Sequence, residues 1–439
     1  MDEYNIENKR DIDGTLIGIK LYPDLKQKVD QTFEIIKTYE TYEKIIKILP
    51  KVYVDLYFKK FIFFKLYEIH SKIVIKKFDN SKNKILIVKN NFPSKKILKN
   101  IYPKENFLFK KNLTQNLKNY LKKFKSKFTI NIYNTIINNF FFVNNKKINL
   151  SVNIHNKLNL NKQNNLYWFD KQYINQKEII LYFETKVLFL ENKIYIKKLK
   201  KKYKHIKIIK LWGNKFFNSK KFFKNFKNNT KNLKEEEWFI QEAQNLMNET
   251  NFWYNFFKNS NTKIHMDSTE YGEKTIVKQI ALSKLNGVSF GSIRSYPTKL
   301  DGYFYGYYPN DIFFYWGIDS LRKMNFSYNP IKINIISGYP YGQTTMDIQK
   351  EIKLIKLNFL KADINYIILI LDTMHSNKGI TQKIFTPDLE EFYNKILKLI
   401  ITNKKIGCII KSKKPSVLKK LPSIKNSINI LTKENRCYE

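Results

Sequence analysis

The chain has 439 residues and a mass of 52.8 kDa, enough for two or three domains with separate cores. Hydrophobic residues make up 43% and aromatic residues 15%, which excludes a disordered or low-complexity chain. A net charge of +42 draws phosphate groups and nucleic acid at low salt.

The basic residues are lysine except for Arg10, Arg294, Arg322 and Arg436. Lysine is a point charge, whereas arginine grips phosphates and guanine edges through two parallel bonds. Specific nucleic-acid recognition is therefore not expected. The excess of Lys, Asn, Ile, Phe and Tyr reads instead as the codon bias of an AT-rich genome. Cys408 and Cys437 are the only cysteines, so no disulfide framework is implied and a reducing compartment fits. The opening MDEYNIENKRDIDG is acidic and polar, unlike a signal peptide. Val52–Tyr67 is the greasiest stretch, but Asp55, Lys59, Lys60 and Lys65 interrupt it and it is too short to span a bilayer. A cytoplasmic protein is expected, with peripheral contact at the anionic inner face of a membrane left open by its lysines.

In chain order, Phe33, Ile36, Tyr39, Tyr42 and Ile46 recur at helical spacing. Lys51–Phe78 is aromatic and β-branched with frequent lysines, and reads as helix or as strands. Asn83–Lys89 (NKILIVK) predicts a strand and Phe107–Phe128 a lysine-studded helix, followed by a turn-bounded FFFV strand. Ile148–Ile154 alternates. Leu166–Phe169 (LYWF) and Ile179–Phe183 (IILYF) flank a polar turn, and apolar segments follow at Val187–Leu190, Ile194–Ile196 and Ile206–Leu211. Trp238, Ile240, Ala243, Leu246 and Met247 mark a helix, and Lys263–Met266 a strand halted by Asp267. Ser268 or Thr269 can cap the next helix, whose first turn holds Glu270 and Glu273 and whose end is Asn286–Gly287. Val288–Phe290 is then a strand, Gly291 opens a loop, and Asp311–Trp316 is another strand. This succession predicts an N-terminal α/β domain over residues 1–330, with room for an insertion.

Ile331–Leu371 reads as a βαβ unit: IKINIISGYPYG, a helical stretch, then INYIILIL before Asp372. Thr386–Pro387–Asp388 starts a helix running to Thr402, and Ile406–Ile410 is a third strand with Lys411 at its carboxyl end. Residues 331–439 are thus expected to form a second Rossmann-like domain that stops in the middle.

Open α/β sheets bind ligands beyond the carboxyl ends of their strands. Lys411 can neutralise a diphosphate there, or be one more solvated lysine. Gly338–Tyr339–Pro340 allows a ligand to approach closely, or is simply a tight turn. Arg294 sits in a glycine-flanked loop and can bind an anionic group or form a structural salt bridge. His265, Asp267 and Glu270 cluster at a strand end, where a carboxylate can act as general base, or can merely serve the start of the following helix. His375 has no triad partner at a diagnostic spacing. There is no P-loop, GxGxxG, CxxC pair or HExxH, and the five histidines never cluster with the cysteines, so neither metal nor cofactor is expected.

Several stretches share their order and spacing with one group of proteins. They are NNLYWF and IILYF within Ile148–Phe183, Phe252–His265, Thr275–Ser295, Asp311–Gly317 (DIFFYWG), Ile335–Pro340 (IISGYP), Asp372, Phe385–Phe392 and Ile406–Lys414 (IGCIIKSKK). Over residues 148–439 the chain resembles a bacterial family of surface-carbohydrate biosynthesis proteins. These are glycosyltransferase-like, with two facing Rossmann-type domains in a GT-B-type arrangement, and are distantly related to the polymerases of glycerol-phosphate wall polymers. The resemblance implies transfer of a sugar or related unit from a nucleotide-activated donor to a polysaccharide or lipid-linked acceptor, in a cleft between the domains. It places Gly291–Ser295 in the loop facing that cleft, Gly338–Tyr339–Pro340 at the turn after a strand, and Lys411 at a post-strand lysine. Asp267 or Glu270 would then deprotonate the acceptor, while Arg294 and Lys411 would balance phosphate charge. The wall-polymer enzymes carry a His–Gly pair in the first loop and a His–Pro pair after the lysine, near where Gly291, Ser292, Lys413 and Lys414 stand here. The family also continues past Arg436–Cys437 with donor-site segments, so inactivity through truncation belongs to the expectation. The alternative is a non-catalytic basic protein that holds anionic polymer, membrane or RNA.

Overall fold

Helices open the chain: α1 (Ile17–Lys37), α2 (Glu40–Ile48) and α3 (Lys51–Phe78). This computed structural model describes residues 17–78, 86–88, 94–105, 107–109, 150–154, 179–184, 186–202, 207–211, 237–267, 273–293, 308–324, 329–338, 349–371, 375–376, 384–411 and 421–438. In α3, Tyr53, Val54, Leu56, Tyr57, Phe58, Phe61, Ile62, Phe63 and Leu66 are all buried, so the stretch that reads as helix or strands is a helix buried on most of its faces. A short parallel pair follows, β1 (Leu86–Val88) with β2 (Phe107–Phe109), and α4 (Lys95–Ile101) lies between them in the chain. The Ser94 hydroxyl accepts from the Ile97 amide and caps α4. Phe107–Phe109 is therefore extended where a helix was expected. The rest of that expected helix, FFFV and LYWF lie outside the described residues. Among the described residues no helix is long and apolar enough to cross a membrane.

The larger sheet is built from β3 (Leu150–Asn153), β4 (Ile179–Phe183), β5 (Lys207–Lys210), β6 (Ile264–Met266), β7 (Val288–Ser292), β8 (Ile312–Tyr315) and β9 (Ile333–Ile336). Helices α5 (Lys186–Glu191), α6 (Lys193–Lys202), α7 (Glu237–Asn259), α8 (Glu273–Ser283) and α9 (Ile318–Met324) intervene, so Val187–Leu190 and Ile194–Ile196 are helical. All seven strands are parallel, in the order β5-β4-β3-β6-β7-β8-β9. The chain starts in the middle, winds outward to β5, then returns to the other side of β3. That is the doubly wound order, with its switch point between β3 and β6.

Alternation along the strands sorts their side chains. Leu150, Val152, Ile179, Leu181, Phe183, Met266 and Phe290 form one core with Ile196 and Leu199 of α6. Ser151, Asn153, Tyr182 and His265 alternate with them and face the other way. Tyr182 rests on Trp253 and Phe256 of α7, and His265 on Phe257. Gly291 lies inside β7, paired with Phe313 of β8, rather than opening a loop, and a Cβ there would meet Asn310 Oδ1 at 2.8 Å.

The expected βαβ unit is not formed. Ile333–Ile336 pairs with β8 in the register Ile312↔Ile333 to Tyr315↔Ile336, and the Asp311 carbonyl accepts from the amides of Lys332 and Ile333. The strand satisfies the open edge of β8, so the first compact unit, Tyr22–Pro340, ends after it rather than at residue 330.

The second unit comprises Met1–Leu21 and Tyr341–Glu439. It contains α10 (Gln349–Lys361), β10 (Tyr366–Leu371), β11 (His375–Ser376), β12 (Ile384–Phe385), α11 (Thr386–Thr402), β13 (Ile406–Lys411), α12 (Pro422–Lys433) and β14 (Cys437–Tyr438). Strands β10-β13-β14 form a parallel sheet in that order, and β11 pairs with β12. Leu389, Tyr393, Leu397 and Ile400 of α11 pack with Ile370, Cys408, Ile410 and Ile424. The Arg436 guanidinium donates to the carbonyls of Asn403 (2.5 Å) and Ile406 (2.8 Å) and to that of Ile400, satisfying acceptors at and just beyond the end of α11. The chain is thus α/β, with a parallel sheet in each unit.

Candidate functional site

Three strand ends converge at the switch point of the larger sheet. Asn153 closes β3, Glu184 follows β4 and Asp267 follows β6. Lys278, on α8, supplies the charge that joins them. Its Nζ donates to Asp267 Oδ2 at 2.7 Å and to Glu184 Oε1 at 2.5 Å. Glu184 Oε1 also accepts from Asn153 Nδ2 at 2.6 Å, and Lys274 Nζ reaches Glu184 Oε2 at 3.2 Å. Below this layer, His265 Nδ1 lies 3.0 Å from Ser151 Oγ, and its Nε2 lies 3.4 Å from the Tyr182 hydroxyl and 3.8 Å from Asp267 Oδ2. The Lys278 ammonium sits 4.7 Å from the Trp253 ring centre, a further attraction for a desolvated cation.

The electrostatics follow from burial and pairing. Burial opposes the Lys278 charge, but Asp267 and Glu184 outweigh it and raise its pKa, so the ammonium persists. Burial likewise opposes ionisation of Glu184, yet Lys278 and Lys274 bring its pKa down to about 2 against the repulsion of Asp267. Burial lowers the His265 pKa despite Asp267, so the imidazole is neutral at pH 7. Two ammoniums therefore face two carboxylates around a neutral ring, so these four described ion-pairing groups balance one another in a chain of +42.

Access differs across the network. The Lys278 side chain is 1% exposed and that of Asp267 0%, whereas Glu184 is 13% and Lys274 60% exposed. Glu184 and Lys274 are the part that meets solvent. Among the described residues Asn153 Oδ1 is buried without a hydrogen-bond partner, an acceptor left open beside Glu184. Lys278 Nζ fills the gap between the carboxylates that a cation would otherwise take. Among the described residues no group of three or more His, Cys, Asp or Glu is placed to hold a metal ion.

Of the residues singled out from the sequence, Asp267 and His265 belong to this network. Asp267 fastens α8 to the end of β6 through Lys278. Glu270, Arg294 and Tyr339 lie outside the described residues. Gly338 adopts φ +78° with nothing within 4 Å of a notional Cβ, so backbone conformation rather than close approach calls for glycine there. Lys411 ends β13 in the second unit, exposed and in register with Leu371. Ser151, Asn153, Tyr182, Glu184 and Lys278 were not anticipated. Their signal was a polar residue inside an apolar run: LSVN, IILYFE and TIVKQIAL.

No family model and no curated protein matches the chain. Among solved structures, one assigned as a UDP-N-acetylglucosamine 2-epimerase from Listeria monocytogenes aligns with a TM-score of 0.33 at 7% identity, over 66% of this chain and 68% of that one. Anabaena HepE, in complex with UDP and glucose, aligns with the same TM-score at 10% identity and the same coverage. Likenesses this shallow assign neither family nor activity. The α/β class rests on the strand order itself.

Proposed function

We propose that the chain handles a nucleotide-activated sugar and transfers the sugar, or a related unit, to a hydroxyl of a surface-polysaccharide or lipid-linked acceptor. The observation carrying this reading is the Asn153–Glu184–Lys278–Asp267 network at the switch point of a doubly wound sheet, where such sheets bind ligands. The family resemblance of residues 148–439 supports it.

In this reading Glu184 and Lys274 offer an acceptor and a donor to ligand hydroxyls. A carboxyl with a pKa of about 2 accepts hydrogen bonds at neutral pH but not protons, so Glu184 is a binding group and not a base. Asp267, tied to Lys278, positions that lysine. Glu270 is left as the proton acceptor of the proposal, and Arg294 counters the charge of a departing nucleoside diphosphate.

A second reading, polyanion binding, is favoured by the outward face of α6, where Lys197, Lys198, Lys200 and Lys201 are all exposed. Titration calorimetry with nucleoside diphosphates and nucleotide sugars at physiological salt separates the two. Saturable binding that weakens about tenfold in Lys274→Ala supports the first. Heats that vanish with salt alike for every polyanion support the second.

A further inference from the structure

Cys408 and Cys437 are register partners on the adjacent parallel strands β13 and β14, and the Cys408 amide donates to the Arg436 carbonyl at 2.8 Å. Both are buried in the core of the second unit. Neighbouring strands lie about 4.8 Å apart, within the roughly 4.4–6.8 Å that Cα atoms span across a disulfide. Register partners leave a sheet on the same face, so the two thiols stand side by side. A hydrogen bond from Cys437 and the Arg436 guanidinium, acting against burial, lower the Cys408 pKa and favour its thiolate.

We propose that Cys408 and Cys437 are an oxidation site, converted by a peroxide-class oxidant into an intramolecular disulfide that staples β14 to β13. The Cys408 thiolate attacks one oxygen of hydrogen peroxide. The O–O bond breaks, and hydroxide leaves and takes a proton to become water, with Cys408 left as sulfenic acid. Cys437 sulfur then attacks Cys408 sulfur, the S–O bond breaks, and the hydroxyl departs as water with the Cys437 proton. Two thiols lose two hydrogens and one peroxide becomes two waters. The bridge closes the chain from β13 through α12 and so restrains the unfolded state of the unit whose strand ends at Lys411. This site stands independently of the proposed transferase activity.

The test treats the full chain with a small excess of hydrogen peroxide, alkylates remaining thiols and maps peptides without reduction. The expected result is one cross-linked pair containing Cys408 and Cys437, released by dithiothreitol, together with a thermal midpoint raised by several degrees. In Cys437→Ser the pair and the shift disappear, and Cys408 sulfenic acid is trapped by dimedone. Recovery of both cysteines as alkylated thiols, or a disulfide found only between two copies, overturns the proposal.

Discussion

Lys278 Nζ lies 2.7 Å from Asp267 Oδ2 and 2.5 Å from Glu184 Oε1, so one buried ammonium joins the ends of two strands that are not neighbours in the sheet. Removing it leaves two carboxylates facing each other with only the exposed Lys274 to offset Glu184. Lys278→Met is expected to destabilise the first unit by about 3–5 kcal/mol in chemical denaturation. Adding Glu184→Gln should recover part of that loss, because one of the stranded charges goes with it. Equal and additive losses would mean that the three groups do not act together.

The same network sets an acid limit. The Glu184 carboxyl titrates at about 2 in the folded protein against its ordinary 4.5, so the folded state binds this proton less readily than the unfolded chain. The stability it contributes is complete above pH 4.5 and is lost as pH falls toward 2, on the order of 3 kcal/mol in all. His265 acts in the same direction. Its folded pKa is below the usual 6.5, so a stabilising contribution present above pH 6.5 is lost on acidification. Urea midpoints measured from pH 7 downward should fall in two stages. Glu184→Gln should flatten the lower stage and leave the upper.

Much of the fold was legible in the sequence, and the exceptions have physical causes. Ile179–Phe183 and Thr386–Thr402 carried their boundaries openly, the first as an unbroken apolar run and the second through threonine and proline at its start. Ile333–Ile336 was legible as a strand but not as a member of the larger sheet, since pairing with β8 depends on a backbone edge that no residue type announces. The site was harder. Asp267 and His265 showed themselves at a strand end, but Glu184 lies 94 positions from Lys278, and only tertiary structure makes an ion pair of them.

Two glycines separate conformation from packing. Gly338 holds φ +78° in open space, so Gly338→Ala should cost roughly 1 kcal/mol through backbone strain alone. At Gly407 a Cβ would meet Phe359 Cε1 at 2.6 Å and the Arg436 carbonyl at 3.1 Å. Gly407→Ala should therefore cost more, about 1–3 kcal/mol, by overpacking the second unit. Thermal melts of the two variants check the order. A larger loss at Gly338 would contradict it.

The most direct measurement is hydrogen exchange by mass spectrometry on the wild-type chain, with and without a saturating nucleotide sugar. Ligand held at the switch point should slow exchange in peptides containing Ile154, Glu184 and Asp267, and Glu184→Gln should reduce that protection at equal ligand concentration. Saturable binding with protection only elsewhere, or protection unchanged in Glu184→Gln, would contradict a ligand site at the ends of β3, β4 and β6.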